Sequence, residues 1–144
     1  MYLISACLVG VRCRYDGENV PDKALQELFE SGQAIPVCPE LLGGLPCPRE
    51  CCEIAQAPSG VRKVLSKSNK DLTPEFELGA TKTLELCKVL GITTAILKFR
   101  SPSCGYGKIY DGTFSGNIIN GNGVTGDLLA QNNINVLNEF NWQS

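Results

Sequence analysis

Histidine is absent from the 144 residues, and that one absence removes whole classes of chemistry. Without it there is no Ser-His or Cys-His nucleophile pair, no His-ligated zinc and no imidazole acid–base catalyst. Any proton transfer falls to carboxylate, lysine, tyrosine, thiol or an activated water. Charge of one sign is scarce as well. Thirteen basic and fifteen acidic residues leave a formal net charge of −2, and no basic stripe suggests a nucleic-acid polymer, although a lone nucleobase or nucleoside is compatible. No apolar run approaches the ~20 residues of a membrane span. The N-terminal MYLISACLVG is too short, and lacks the basic start, to read as a signal peptide. The expected location is the cytoplasm, where disulfides are uncommon. No internal repeat, low-complexity stretch or linker is visible, so the expectation is one domain over residues 1–144 with a core that needs no staples.

What is present in excess is cysteine: eight residues, in a chain of 43% hydrophobic and 19% charged composition. In a reducing compartment they point to thiolate chemistry or metal binding more than to a disulfide framework. The competing reading is that several are small buried apolar residues.

Apolar segments alternate with helical ones. Residues 2–6 read as a buried strand that runs straight into Cys7. Pro21–Asp22 opens a helix with Leu25, Leu28 and Phe29 at i, i+3, i+4, ending at Gly32. Ala34 to Val37 is a second strand, with Cys38-Pro39-Glu40 at its end, and Leu41 to Ser59 reads as a Gly/Pro-rich loop. VRKVLSKSNKD suggests a short hairpin or extended arm. Thr73 and Pro74 look like the N-cap and first position of a long helix to about Leu90, stopped by Gly91. Ile92 to Phe99 is a third strand, IYDGTFSGNIINGNG a long loop or small hairpin, Val124 to Asn132 a helix, Ile134 to Leu137 a fourth strand, and NEFNWQS a tail. This order predicts an α/β fold: a three-layer, Rossmann-like parallel sheet of about four strands flanked by helices.

In such a sheet, ligands bind outside the carboxyl ends of the strands. Cys7, Cys38 and Cys104 lie near three of those ends. Converging thiolates repel one another and need a cation, which makes a metal or an iron–sulfur cluster the natural occupant. Three protein ligands would leave one iron of a cluster open to a substrate atom. The third strand stops abruptly at Arg100-Ser101-Pro102-Ser103-Cys104-Gly105, a thiol set among hydroxyls, proline and glycine.

Other candidates share these ends. Glu40, two residues after Cys38, is placed to act as a base or to orient water. Ser101 and Ser103 are candidate hydrogen-bond donors, with turn capping as the plainer role. Tyr15 or Tyr110 suits stacking on a planar substrate, and Asp16 and Asp111 each sit in a Tyr-Asp-Gly triplet that reads as a turn. Lys98, late in an apolar strand, either snorkels or meets an acid. The GNG at 121–123 ahead of a helix offers amides to an anion. Cys87 falls on the apolar face of the long helix and reads as core, while Cys47, Cys51 and Cys52 offer no CxxC spacing and read as incidental.

Taken together, SACLVG with CRYDG, VCPE with GGLPCPR, and SPSCG with IYDGTFSG and GNGV resemble the DUF523 family, small bacterial proteins that include thiouracil desulfidases. The resemblance covers nearly the whole chain. It implies an enzyme that removes sulfur from 2-thiouracil or a related thiolated nucleobase, giving uracil and sulfide, with a [4Fe-4S] cluster whose fourth iron binds the substrate sulfur. By motif, the cluster ligands would be Cys7, Cys38 and Cys104, and Glu40 and Ser101 match the acid and hydroxyl positions expected near substrate, the catalytic pair. From the reading of the residues themselves, Ser103, Asp16 and Tyr15 are the substrate-binding candidates. Cys13 receives no role from the resemblance. Two other readings of the same thiols stand beside it: a zinc- or cluster-binding redox or sensing module, and a metal-free persulfide carrier using Cys104 as nucleophile.

Overall fold

The computed structural model describes residues 1–143. In chain order it contains β1 (Tyr2–Ser5), a 3-10 turn (Ala6–Val9), α1 (Lys23–Glu30), β2 (Ala34–Val37), α2 (Pro39–Leu42), β3 (Cys52–Gln56) and β4 (Arg62–Ser66). There follow α3 (Thr73–Leu90), β5 (Thr94–Leu97), β6 (Lys108–Tyr110), β7 (Ile118–Asn120), α4 (Val124–Gln131) and β8 (Asn135–Asn138).

β1, β2, β5 and β8 form a parallel sheet in the order β2-β1-β5-β8. The alternation of side chains along each strand divides the core into two layers. Ile4, Ala34 and Ile96 face α1 and pack with Leu25, whereas Leu3, Ala95, Leu97 and Val136 face α3 and α4 and pack with Cys87 and Leu129. This is the expected three-layer α/β arrangement. From β1 the chain passes to β2 on one side and then to β5 and β8 on the other, so the order switches between β1 and β5. A cleft at the carboxyl ends is the geometric result.

Local chemistry explains most boundaries. Asp22 Oδ1 accepts the Leu25 amide at 3.1 Å and starts α1, and Gly91, at φ 68°, ends α3. At the other end of α3 the expected cap differs. The Thr73 hydroxyl accepts the amide of Val64 in β4 (2.9 Å), and Leu72 occupies the capping position.

The loop expected over residues 41–59 is also more ordered than its Gly/Pro content suggests. Its first residues complete α2, and its end supplies β3, which pairs antiparallel with β4, Ile54 opposite Val64. The expected hairpin thus takes its partner from inside that loop. Strand alternation is masked there because Glu53 is buried along with Cys52 and Ile54. Its Oε1 receives the amides of Gly112 and Phe114 at 3.0 and 3.1 Å, which pins the loop that follows β6.

Close backbone contacts fix how α2 and α4 are seated. Where α2 crosses α3, a Cβ on Gly43 would strike the Glu75 carbonyl, and one on Gly79 would strike the Pro39 carbonyl. At α4, the amides of Gly123, Val124, Thr125 and Gly126 donate to the carbonyls of Gly105, Pro102, Ser103 and Ser103. These amides are consumed by the Cys104 loop, so the anion role expected of GNG is not available to them.

Candidate active site

A cavity of about 320 Å³ opens at the carboxyl ends of the sheet, and Cys7, Cys38 and Cys104 all line it. Each is placed by a different element. Cys7 sits in the 3-10 turn that continues β1, and Cys38 leaves β2 as the residue capping α2. Cys104 follows β5 through a tight turn in which Ser101 Oγ accepts the amides of Ser103 (3.1 Å) and Cys104 (3.0 Å). Cys7 and Cys104 are buried and Cys38 is half-buried.

A fourth thiol stands among them. Cys13 is only 2% exposed and lines the same cavity, and its carbonyl accepts the Cys38 thiol at 3.7 Å. The neighbouring Cys38 thiol pulls the Cys13 pKa down, but the Cys7 thiol and burial outweigh it and leave it pushed up to about 11. Burial likewise pushes the Cys104 thiol up to about 12, against an opposing bond from Ser5. The Cys38 thiol is raised by the neighbouring Cys13 thiol and by burial. Burial and neighbouring thiols favour the neutral form of Cys13, Cys38 and Cys104, and a bound cation or cluster is what favours the thiolates.

The donor set is soft thiolate, the kind an iron–sulfur cluster takes. Thiolates bound to separate irons of a cluster stand farther apart than ligands of one metal. Three free thiols from three strand ends around a roomy cavity fit that need.

Glu40 and Ser101 both line the cavity. Glu40 Oε1 pairs with Arg49 Nε at 3.3 Å, and their side chains are 16% and 4% exposed. Burial alone would lower the Arg49 pKa, but the Glu40 carboxylate more than offsets it. Ser101 uses its oxygen as an acceptor, which leaves its proton to donate. Tyr15 is in the wall, with the Arg14 guanidinium 5.5 Å from its ring centre.

Two substrate-side candidates are not brought into the wall. Ser103 is 1% exposed and its hydroxyl lies 2.9 Å from that of Thr125. Asp16 is exposed, accepts the Glu18 amide at 3.0 Å and pairs with Arg14 at 3.7 Å, in the turn that a Tyr-Asp-Gly triplet favours.

Several wall residues carried little signal in the sequence. Arg49 is the last residue of GGLPCPR. Cys51 and Cys52, read as incidental, also line the cavity, whereas exposed Cys47 does not. Lys98 meets an acid, Glu139, at 3.4 Å. The tail folds back so that Phe140, though 77% exposed, joins the wall and meets Phe99 edge-on at 5.6 Å.

Comparison with known proteins gives the chain's family. The model of the 2-thiouracil desulfurase family matches residues 2–141. YbbK of Bacillus subtilis (strain 168), described as uncharacterized, is 42% identical, over 96% of this chain and 95% of its own length. Among solved structures, the [4Fe-4S]-dependent thiouracil desulfidase TudS (DUF523Vcz) is similar with a TM-score of 0.89 and 40% identity, covering 99% of this chain and 92% of that one. The chain belongs to the 2-thiouracil desulfurase family.

Proposed function

We propose that the protein is a [4Fe-4S]-dependent desulfidase that removes the sulfur of 2-thiouracil or a related thiolated nucleobase, releasing the oxo base and sulfide. The observation that carries this reading is the convergence of Cys7, Cys38 and Cys104 on one cavity, in a chain 40% identical to TudS across nearly its whole length. These three thiols are the proposed cluster ligands. When bound, the cluster would supply Lewis acidity toward a thiocarbonyl group, with no net redox change.

The remaining roles fall to the chain's own groups. The Glu40 carboxylate takes a proton from the water that attacks the thiocarbonyl carbon. The Ser101 hydroxyl donates a hydrogen bond to the base and orients it. Tyr15 and Phe140 provide aromatic surface for a planar ring and reduce its contact with bulk water. Ser103, with its hydroxyl on Thr125, is a positioning residue for the Cys104 turn. Asp16 shapes the turn that carries Tyr15. A persulfide carrier is less well supported, because Cys104 is 5% exposed and burial holds its thiol far from the thiolate a nucleophile needs. Among the described residues no helix is long and apolar enough to cross a membrane. Eight free cysteines accord with a reducing compartment, and the cytoplasm is the proposed location.

The test is anaerobic assembly of the cluster followed by incubation with 2-thiouracil. Uracil and sulfide should appear in equal amounts, without added reductant. A fully loaded cluster that leaves 2-thiouracil intact would reject this activity.

A further inference from the structure

Glu40 is held by one oxygen only. Its Oε1 meets Arg49 Nε, and its Oε2 has no hydrogen-bond partner among the described residues, although the side chain lines the cavity. The other edges of the same guanidinium are committed elsewhere: Nη2 donates to the Cys13 carbonyl at 2.9 Å and Nη1 to the Pro46 carbonyl at 3.1 Å. The Arg49 amide donates to the Tyr15 carbonyl at 2.7 Å. One residue therefore braces the turn after β2, the segment carrying Cys13 and Tyr15, and its own loop. An unbraced glutamate has three rotatable bonds with which to leave its aim. A planar guanidinium, fixed at three points, removes that freedom where a lysine ammonium cannot.

We propose that Arg49 is a positioning residue of the reaction that acts through Glu40: it holds Oε1 so that Oε2 faces the reacting carbon's water. This inference rests on the desulfidase reading above. It differs from a purely structural role in predicting that catalysis fails while binding and cluster remain.

The experiment compares Arg49→Lys and Arg49→Gln with the parent, each assembled anaerobically as the full chain. Iron and sulfide content, and the change in cluster absorbance on titrating 2-thiouracil, should match the parent. The kcat should fall about 10- to 100-fold, as expected for a misaimed catalytic group, with KM changed by no more than about twofold. In a Glu40→Gln background, Arg49→Lys should add no further loss, because the two residues act as a unit. Parental kcat in Arg49→Lys, or losses that multiply in the double variant, would overturn the proposal. Iron loss that parallels the loss of rate would overturn it too, and would assign Arg49 to cluster retention. A cluster-loaded parent that leaves 2-thiouracil intact is a different outcome, the failure of the functional reading itself.

Discussion

The hydroxyls of Ser103 and Thr125 lie 2.9 Å apart, both buried, one in the Cys104 turn and the other in the first turn of α4. They add a side-chain tie to the backbone bonds that fasten this helix to the turn. Ser103→Ala strands the Thr125 hydroxyl in the core, a loss of about 1–3 kcal/mol. Ser103→Ala with Thr125→Val removes both partners and should recover most of it. Denaturant unfolding of the cluster-free protein measures the difference. A substrate contact at Ser103 would instead raise KM in both variants and leave stability alone.

The crossing of α2 and α3 makes a second prediction. Gly43→Ala places a methyl group on the Glu75 carbonyl, so the helices must separate. Overpacking of this kind costs about 1–3 kcal/mol. Because Cys38 is the capping residue of α2, the variant should also retain less iron. Thermal unfolding and iron analysis check the two parts.

These positions show what the sequence discloses and what it hides. The parallel sheet was legible because its strands are short apolar runs punctuated by Gly, Pro and helix caps. Cys7, Cys38 and Cys104 followed from the rule that parallel sheets bind ligands at their carboxyl ends. β3 was hidden because Glu53, a buried carboxylate serving two loop amides, breaks the alternation that marks a strand. Arg49 and Phe140 were hidden for another reason. Nothing local tells which loop arginine or which tail aromatic the fold will bring to the cavity wall. The same limit applied to Ser103 and Thr125, 22 residues apart in sequence.

Glu40→Gln keeps the size and one acceptor of the side chain but removes the base. The cluster should load as in the parent, and kcat should fall by about 10²- to 10⁴-fold, the usual contribution of a positioned general base. Uracil formation under saturating 2-thiouracil gives the value. Unchanged turnover would take Glu40 out of the reaction.

Phe140 is an apolar ring that lines the cavity and is largely open to solvent. Phe140→Ala should raise KM for 2-thiouracil about 3- to 10-fold, in line with about 1 kcal/mol for an aromatic contact, and leave kcat within about twofold. Steady-state kinetics separates the two constants.

The central claim is that Cys7, Cys38 and Cys104 together hold the cluster. Its most direct test is iron and acid-labile sulfide per chain after anaerobic assembly, for the parent and for serine variants of each of the eight cysteines in turn. About four irons and four sulfides are expected in the parent and in Cys87→Ser, and almost none in Cys7→Ser, Cys38→Ser or Cys104→Ser. A full cluster in any one of those three variants, or a parent that binds a single zinc and no sulfide, would contradict it.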